Sequence, residues 1–199
     1  MPTVNLAVSA STDDARNIDG NGTFSATAIT QHLGMFNATD DYYNGFRWTN
    51  VAVPQGATIT SATVTLYCAA TNGGTTAQTI WWGEASDNAA TFANSAGGKP
   101  EGRTPTTATV TKSFSISNWG SIGYNTGDTI TVTSIVQEIV NRAGWASGNA
   151  LVIVAHDNGS ASTNYIGHST YDRDVNRGAK LDIDYTTGGG STRRIIVIS

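Results

Sequence analysis

The chain has a single cysteine and four prolines among 199 residues, and only 13% of it is charged, against about 25% in an average soluble domain. One cysteine excludes a disulfide framework. A chain of this length buries roughly 70% of the surface that its unfolded form exposes, so one hydrophobic core suffices without disulfide or metal. Cationic residues are also scarce: Lys+Arg 11 against Asp+Glu 15 leaves a formal net charge of -4. No basic field exists to neutralise a phosphate backbone, so a dedicated nucleic-acid binder is not expected. No run approaches the roughly 18 apolar residues of a membrane span. The opening Met1-Pro2-Thr3-Val4-Asn5-Leu6 has neither a positive n-region nor an apolar h-region, so no signal peptide and no membrane or secretory route is expected. The Asn-x-Ser/Thr sequons at Asn21, Asn37 and Asn158 then carry no weight.

What the chain has in quantity is glycine (22 residues), threonine in almost every segment, and 5 Trp, 7 Tyr and 5 Phe. That is the composition of a turn-rich sheet protein, and the aromatics set it apart from low-complexity disorder. The expected fold class is all-β, a β-sandwich with one short helix, over residues 1–187 as a single domain. Alternation predicts strands at residues 1–10, with Val4, Leu6 and Val8 inward, weakly over Thr23 to Leu33, over Phe46 to Val53, and over Thr58 to Ala69. Within the last of these, Ala62, Val64, Leu66 and Cys68 face the core, which makes Cys68 a small buried hydrophobe. Asp13 to Gly22 reads as turn. Further strands are expected over Thr79 to Glu84, Val110 to Ile116 and Ala179 to Tyr185, with a long surface loop over residues 86–108. Ala150 to Ala155 is apolar on both faces, as a central strand is, and His156-Asp157-Asn158-Gly159 turns it into a strand through His168. Over Ser134 to Ala143, Ile135/Ile139 and Val136/Val140 repeat at i, i+4, which only a helix places on one face. Ser134 with Gln137 reads as its capping box, and Gly144 as its left-handed stop. Residues 188–199 form a Gly-rich linker followed by Arg193-Arg194-Ile195-Ile196-Val197-Ile198-Ser199. This apolar arm is expected to add as a strand to a sheet edge, either of its own domain or of a neighbouring subunit, with the Gly-rich spacer favouring the neighbour.

Three of these segments carry a resemblance. Phe46-Arg47-Trp48-Thr49-Asn50-Val51 followed by Pro54-Gln55-Gly56-Ala57-Thr58-Ile59-Thr60-Ser61-Ala62-Thr63-Val64-Thr65-Leu66-Tyr67 resembles the core stretch of DNRLRE-type β-sandwich modules, with Trp48 where that family usually has phenylalanine. Val132 to Asn141 resembles the family's single short helix, and Ala179 to Tyr185 its closing strand. The likeness runs from about residue 40 to residue 186 and consists of core and turn positions without a catalytic signature. It implies a jelly-roll-like, non-catalytic sandwich of the kind appended to secreted bacterial proteins and also found in phage virion structural proteins. With an apolar arm and no signal peptide, the implied role is a virion structural component made in the host cytoplasm, such as a capsid decoration or head or tail accessory protein. Its partners would be itself, as a homo-oligomer, and other virion proteins.

Enzymatic signatures are missing. Gly144-Trp145-Ala146-Ser147-Gly148 has its serine one place late for a nucleophile elbow, and Gly97-Gly98-Lys99-Pro100 lacks the spacing of a phosphate loop. Glu84, Asp87, Glu101 and Glu138 define no facing pair for glycoside hydrolysis. The histidines His32, His156 and His168 are isolated in sequence. Two functional groupings remain. Asp13, Asp14 and Asp19 in an early loop, with Asp182 and Asp184 on the last strand, are hard-oxygen candidates for a structural calcium ion, since first and last strands often neighbour each other in jelly rolls. Tyr42, Tyr43, Trp81, Trp82 and Trp145 are candidates for stacking on a glycan or for a subunit contact. Trp81 and Trp82 are adjacent on a strand, so one faces the core and the other the opposite side. A carbohydrate-binding or adhesion module is therefore the alternative to the assembly role.

Overall fold

Strands form wherever side chains alternate between a core face and an outer one. The computed structural model describes residues 1–19, 22–69, 72–119, 123–126 and 128–187. Its strands are β1 (Thr3–Ala7), β2 (Asp14–Ile18), β3 (Thr23–Ser25), β4 (Thr30–Gly34), β5 (Tyr42–Trp48), β6 (Thr58–Thr65), β7 (Tyr67–Cys68), β8 (Thr76–Glu84), β9 (Pro105–Ser115), β10 (Gly123–Tyr124), β11 (Ile130–Thr131), β12 (Leu151–Asp157), β13 (Tyr165–Ser169) and β14 (Lys180–Thr186). One α-helix, α1 (Thr133–Val140), occurs among the described residues, and no helix there is long and apolar enough to cross a membrane. Among the described residues three antiparallel sheets result, in the orders β1-β14-β6-β11, β10-β7-β13-β4 and β3-β2-β5-β12-β8-β9. They pack face to face as a sandwich-like fold around Phe46, Trp48, Trp81, Phe114, Trp119, Ile153 and Leu181.

The strongest periodicities hold. β12 lies between β5 and β8, buried on both faces as its unbroken apolar run predicts. Ala62, Val64, Leu66 and Cys68 are all buried. The strand nevertheless breaks at Leu66 into β6 and β7, which belong to different sheets, so one alternating run turns a corner of the sandwich. Cys68 is fully buried, its thiol donating to the Trp119 carbonyl. β1 and β14 are neighbours, in register Asn5↔Asp182.

Other expectations are corrected. The segment read as turn contains β2, and the weak strand over Thr23 to Leu33 is two strands, β3 and β4. The strand expected through His168 forms as β13, and it pairs with β4 and β7. Helix α1 buries Ile135, Val136, Ile139 and Val140 as its period requires, with Gly83 beneath; a Cβ at Gly83 would press into Ile135 and Ile139. Its capping box does not form. The N-cap position is Val132 without a side-chain cap, and Gln137 reaches across to β6, donating to the Ala57 carbonyl at 2.9 Å and accepting the Ile59 N–H at 2.8 Å. Backbone groups left unpaired at the mouth of β6 compete for that amide and win. Gly144 is not in the left-handed region; the space a Cβ would need is occupied by the Asp87 carboxylate.

Candidate functional site

Antiparallel registry aligns side chains from four strands on the outer face of the six-stranded sheet. His156 of β12 sits opposite Ile80 of β8, and Trp82 of β8 sits between Val154 of β12 and Thr109 of β9. Tyr43 of β5 stacks on His156, with ring centroids 4.1 Å apart and planes at 14°. The segment between β8 and β9, expected as a long surface loop, folds back over part of this face. Phe92 is buried on Gly45, where any Cβ would collide with its ring, and Ala89 joins it against Ala15, Val152 and Val154. The part of the face left open is a groove of about 520 Å³, lined by Tyr43, Ile80, Trp82, Glu101, Arg103, Thr109, His156, Asp157 and Asn158 among others.

The polar groups in this groove differ in how far they are committed. Arg103 staples the loop: Nη1 meets the Glu84 carboxylate at 3.0 Å, Nη2 donates to the carbonyls of Thr91 and Gly98, and the guanidinium lies over the Phe92 ring at 4.9 Å. Its charge is returned to Glu84. His156 Nε2 is 3.1 Å from Asp41 Oδ2, and burial raises the Asp41 carboxyl, against the opposing pull of His156. Asp157 accepts the N–H groups of Gly159 and Ser160. Glu101 has a carboxylate oxygen, Oε2, that is shielded from solvent yet has no hydrogen-bond partner among the described residues. Burial, then the carboxylates of Asp19, Asp41 and Glu101, raise the Tyr43 hydroxyl. The groove thus combines the aromatic side chains of Tyr43 and Trp82 with the carboxylates of Glu101 and Asp157.

The five aromatic candidates are not one site. Tyr43 and Trp82 share the groove. Trp81 is fully buried, stacked near Phe46 and donating to Thr79 Oγ1 at 2.8 Å. Tyr42 is 4% exposed and packs against His32 on the inner side. Trp145 closes the helix end, its Nε1 donating to the Val53 carbonyl at 2.9 Å. Glu101, His156 and Asp157 complete the groove, and sequence reading missed them because they come from a loop and a strand end far along the chain from Tyr43 and Trp82.

The carboxylates proposed for calcium are dispersed. Asp13 pairs with Arg47 at 2.7 Å, while Asp182 and Asp184 accept from Asn5 and Thr3 on the wet face of β14. Asp14 is buried inside and accepts the Tyr171 N–H at 2.7 Å, and Asp19 is exposed at the far end of β2. β1 and β14 are neighbours as expected, but β2 enters another sheet and takes its carboxylates with it. No group of three or more His, Cys, Asp or Glu suited to a metal ion occurs among the described residues. Of the other carboxylates, Glu84, Asp87 and Glu138 hold Arg103, Arg142 and the N–H groups of Thr107 and Ala108. The arm Arg193, Arg194, Ile195, Ile196, Val197 and Ile198 lies outside the described residues.

A polar belt is buried at one end of the core. Pairing of β4 with β13 brings His32 beside Gly167 and Gln31 beside His168. Burial lowers both histidines to about 4, so they are neutral. Burial also raises Asp14 to about 7, partly offset by the Tyr171 N–H and reinforced by Asp172 and Asp13. A second groove, of about 480 Å³ beside β1 and β14, has one aromatic, Tyr124, already covered by the Lys180 ammonium at 3.7 Å. No protein-family model matches the chain, and no curated protein does either.

Proposed function

We propose that this chain is a non-enzymatic binding module whose outer-face groove takes a carbohydrate. The observation that carries this reading is the meeting of Tyr43 and Trp82, both half-buried, in one open groove with acceptor oxygens and an amide along its walls. Sugar rings present apolar C–H faces that stack on aromatics and a rim of hydroxyls that need hydrogen-bond partners, and this groove offers both. Trp82→Ala is expected to weaken glycan binding about 30-fold or more, as removal of an aromatic anchor worth about 2 kcal/mol does. Titration of a glycan panel followed by tryptophan fluorescence and calorimetry checks this. Equal affinities for the wild type and the variant would overturn the groove as the binding site.

A second reading, assembly as a virion structural component, is favoured by the likeness to DNRLRE-type modules and by the Arg193 to Ile198 arm. An apolar strand-like run after a Gly-rich spacer adds readily to the sheet edge of a second copy. The full chain is then expected to be an oligomer and the truncation lacking residues 191–199 a monomer, as measured by light scattering at several concentrations. An unchanged mass on truncation argues against assembly through the arm. Glycan binding and assembly are compatible, since the groove and the arm are different parts of the chain.

A further inference from the structure

The groove's charge points to a narrower ligand class than carbohydrate in general. Its one guanidinium, Arg103, is matched by Glu84 and held by two carbonyls, so it has no charge to offer an anionic ligand. Lys99, two residues before Glu101, donates to the Gly22 carbonyl. His156 is matched by Asp41. Two carboxylates remain without a cationic partner among the described residues: Asp157, held only by backbone N–H groups, and Glu101, with its unpartnered shielded oxygen. Both line the groove together with the faces of Trp82 and Tyr43.

Resting on the carbohydrate reading above, we infer that the groove selects glycans bearing free amino groups, with a sugar ring on Trp82 and its ammonium at Glu101. A protonated amine on a pyranose gives this surface what it lacks. The charge-assisted hydrogen bond to a half-shielded carboxylate is stronger than one from a neutral hydroxyl, and the aromatic faces attract the same cation. An N-acetylated sugar keeps the stacking and loses the charge. A uronate brings a second negative charge beside Glu101 and Asp157 and is repelled.

The test is calorimetric titration of the full chain with three oligosaccharides of equal length, a glucosamine oligomer, its N-acetylated counterpart and a uronate oligomer, at a pH where the amine is protonated. The glucosamine oligomer is expected to bind about tenfold or more tighter than the N-acetylated one, with an advantage that shrinks as salt is raised. Glu101→Gln is expected to remove most of that advantage, weakening binding of the glucosamine oligomer about tenfold more than that of the N-acetylated oligomer. Circular dichroism verifies that the variant is folded, and Asp157→Asn supplies an independent second variant. Equal or tighter binding of the N-acetylated or uronate oligomer, or an unaltered preference in Glu101→Gln, overturns the inference and leaves the carbohydrate reading standing. Absence of binding to all three and to the wider glycan panel overturns the carbohydrate reading, and the inference falls with it.

Discussion

Trp81→Ala is expected to destabilise the fold by about 3–5 kcal/mol, whereas Trp82→Ala, one residue on, changes stability by about 1 kcal/mol or less. Trp81 is 0% exposed, its ring parallel to Phe46 at 5.9 Å between centroids and its Nε1 satisfied by Thr79. Truncation there leaves a cavity between packed sheets and removes the hydrogen bond that the Thr79 hydroxyl accepts, though that hydroxyl still donates to the Lys112 carbonyl. Trp82 lies on the opposite face with one side open to the groove, so its loss uncovers only part of the small cluster around Val152 and Val154. Urea unfolding of the two variants separates the roles: one lowers the midpoint steeply and the other lowers ligand affinity. Similar midpoints for both would contradict the assignment of inner and outer faces.

Stability is expected to rise with pH between about 4 and 6.5, through three groups in the buried polar belt. His32 and His168 have an ordinary value of 6.5 and are lowered to about 4, chiefly by burial and with Arg16 adding to it. Unfolding lets each take up a proton in that window, so their contribution is present above 6.5 and is lost as pH falls towards 4. Asp14 acts in the opposite sense. It is raised from 3.8 to about 7, so its contribution is fully present below 3.8 and is lost as pH rises through 7. Two protons gained on unfolding less one released is a net uptake of one, a slope of about 1.4 kcal/mol per pH unit.

The sharper expectation is the difference made by Asp14→Asn, in which contributions from other carboxylates cancel. The amide stands in for the protonated acid and accepts the Tyr171 N–H. The variant should therefore double the slope to about 2.8 kcal/mol per pH unit in the acid window and gain about 2–4 kcal/mol near neutral pH and above. Urea unfolding across the window reads both effects. An unchanged slope in Asp14→Asn would mean that Asp14 is ionised in the folded protein.

Where a segment's own pattern agrees with its tertiary environment, the sequence reads correctly. β12 is apolar throughout because both its faces are covered. Residues 58–68 alternate because one face is wet, and Ile135, Val136, Ile139 and Val140 keep helical spacing because one stripe packs on Gly83. β2 was illegible for the converse reason. Asp14-Ala15-Arg16-Asn17-Ile18 puts Asp14 and Arg16 in line with Phe46 and Asn44 inside the sandwich, and leaves Ala15 on the outer face beneath Phe92. A strand whose inner face meets a polar belt carries the pattern of a turn. The capping box failed similarly: Ser134 and Gln137 have the right spacing, but Gln137 is claimed by β6 backbone groups that no local rule can see.

The candidate site was half visible. Trp81-Trp82 on a strand had to point to opposite faces, and that much follows from the pleat. Which of the two is buried depends on the sheet that packs against β8, and whether the outward one is covered depends on where Phe92 lands. Glu101, His156 and Asp157 join Tyr43 and Trp82 only through pairings and loop packing between segments far apart in the chain. By itself the sequence determined the all-β class, the helix α1 and the central strand, because hydrophobic periodicity is a local property that neighbouring residues carry together. The tertiary structure alone decided which faces meet, which aromatics stay accessible and which carboxylates share the groove with them, because those depend on long-range contacts that no short window of residues contains.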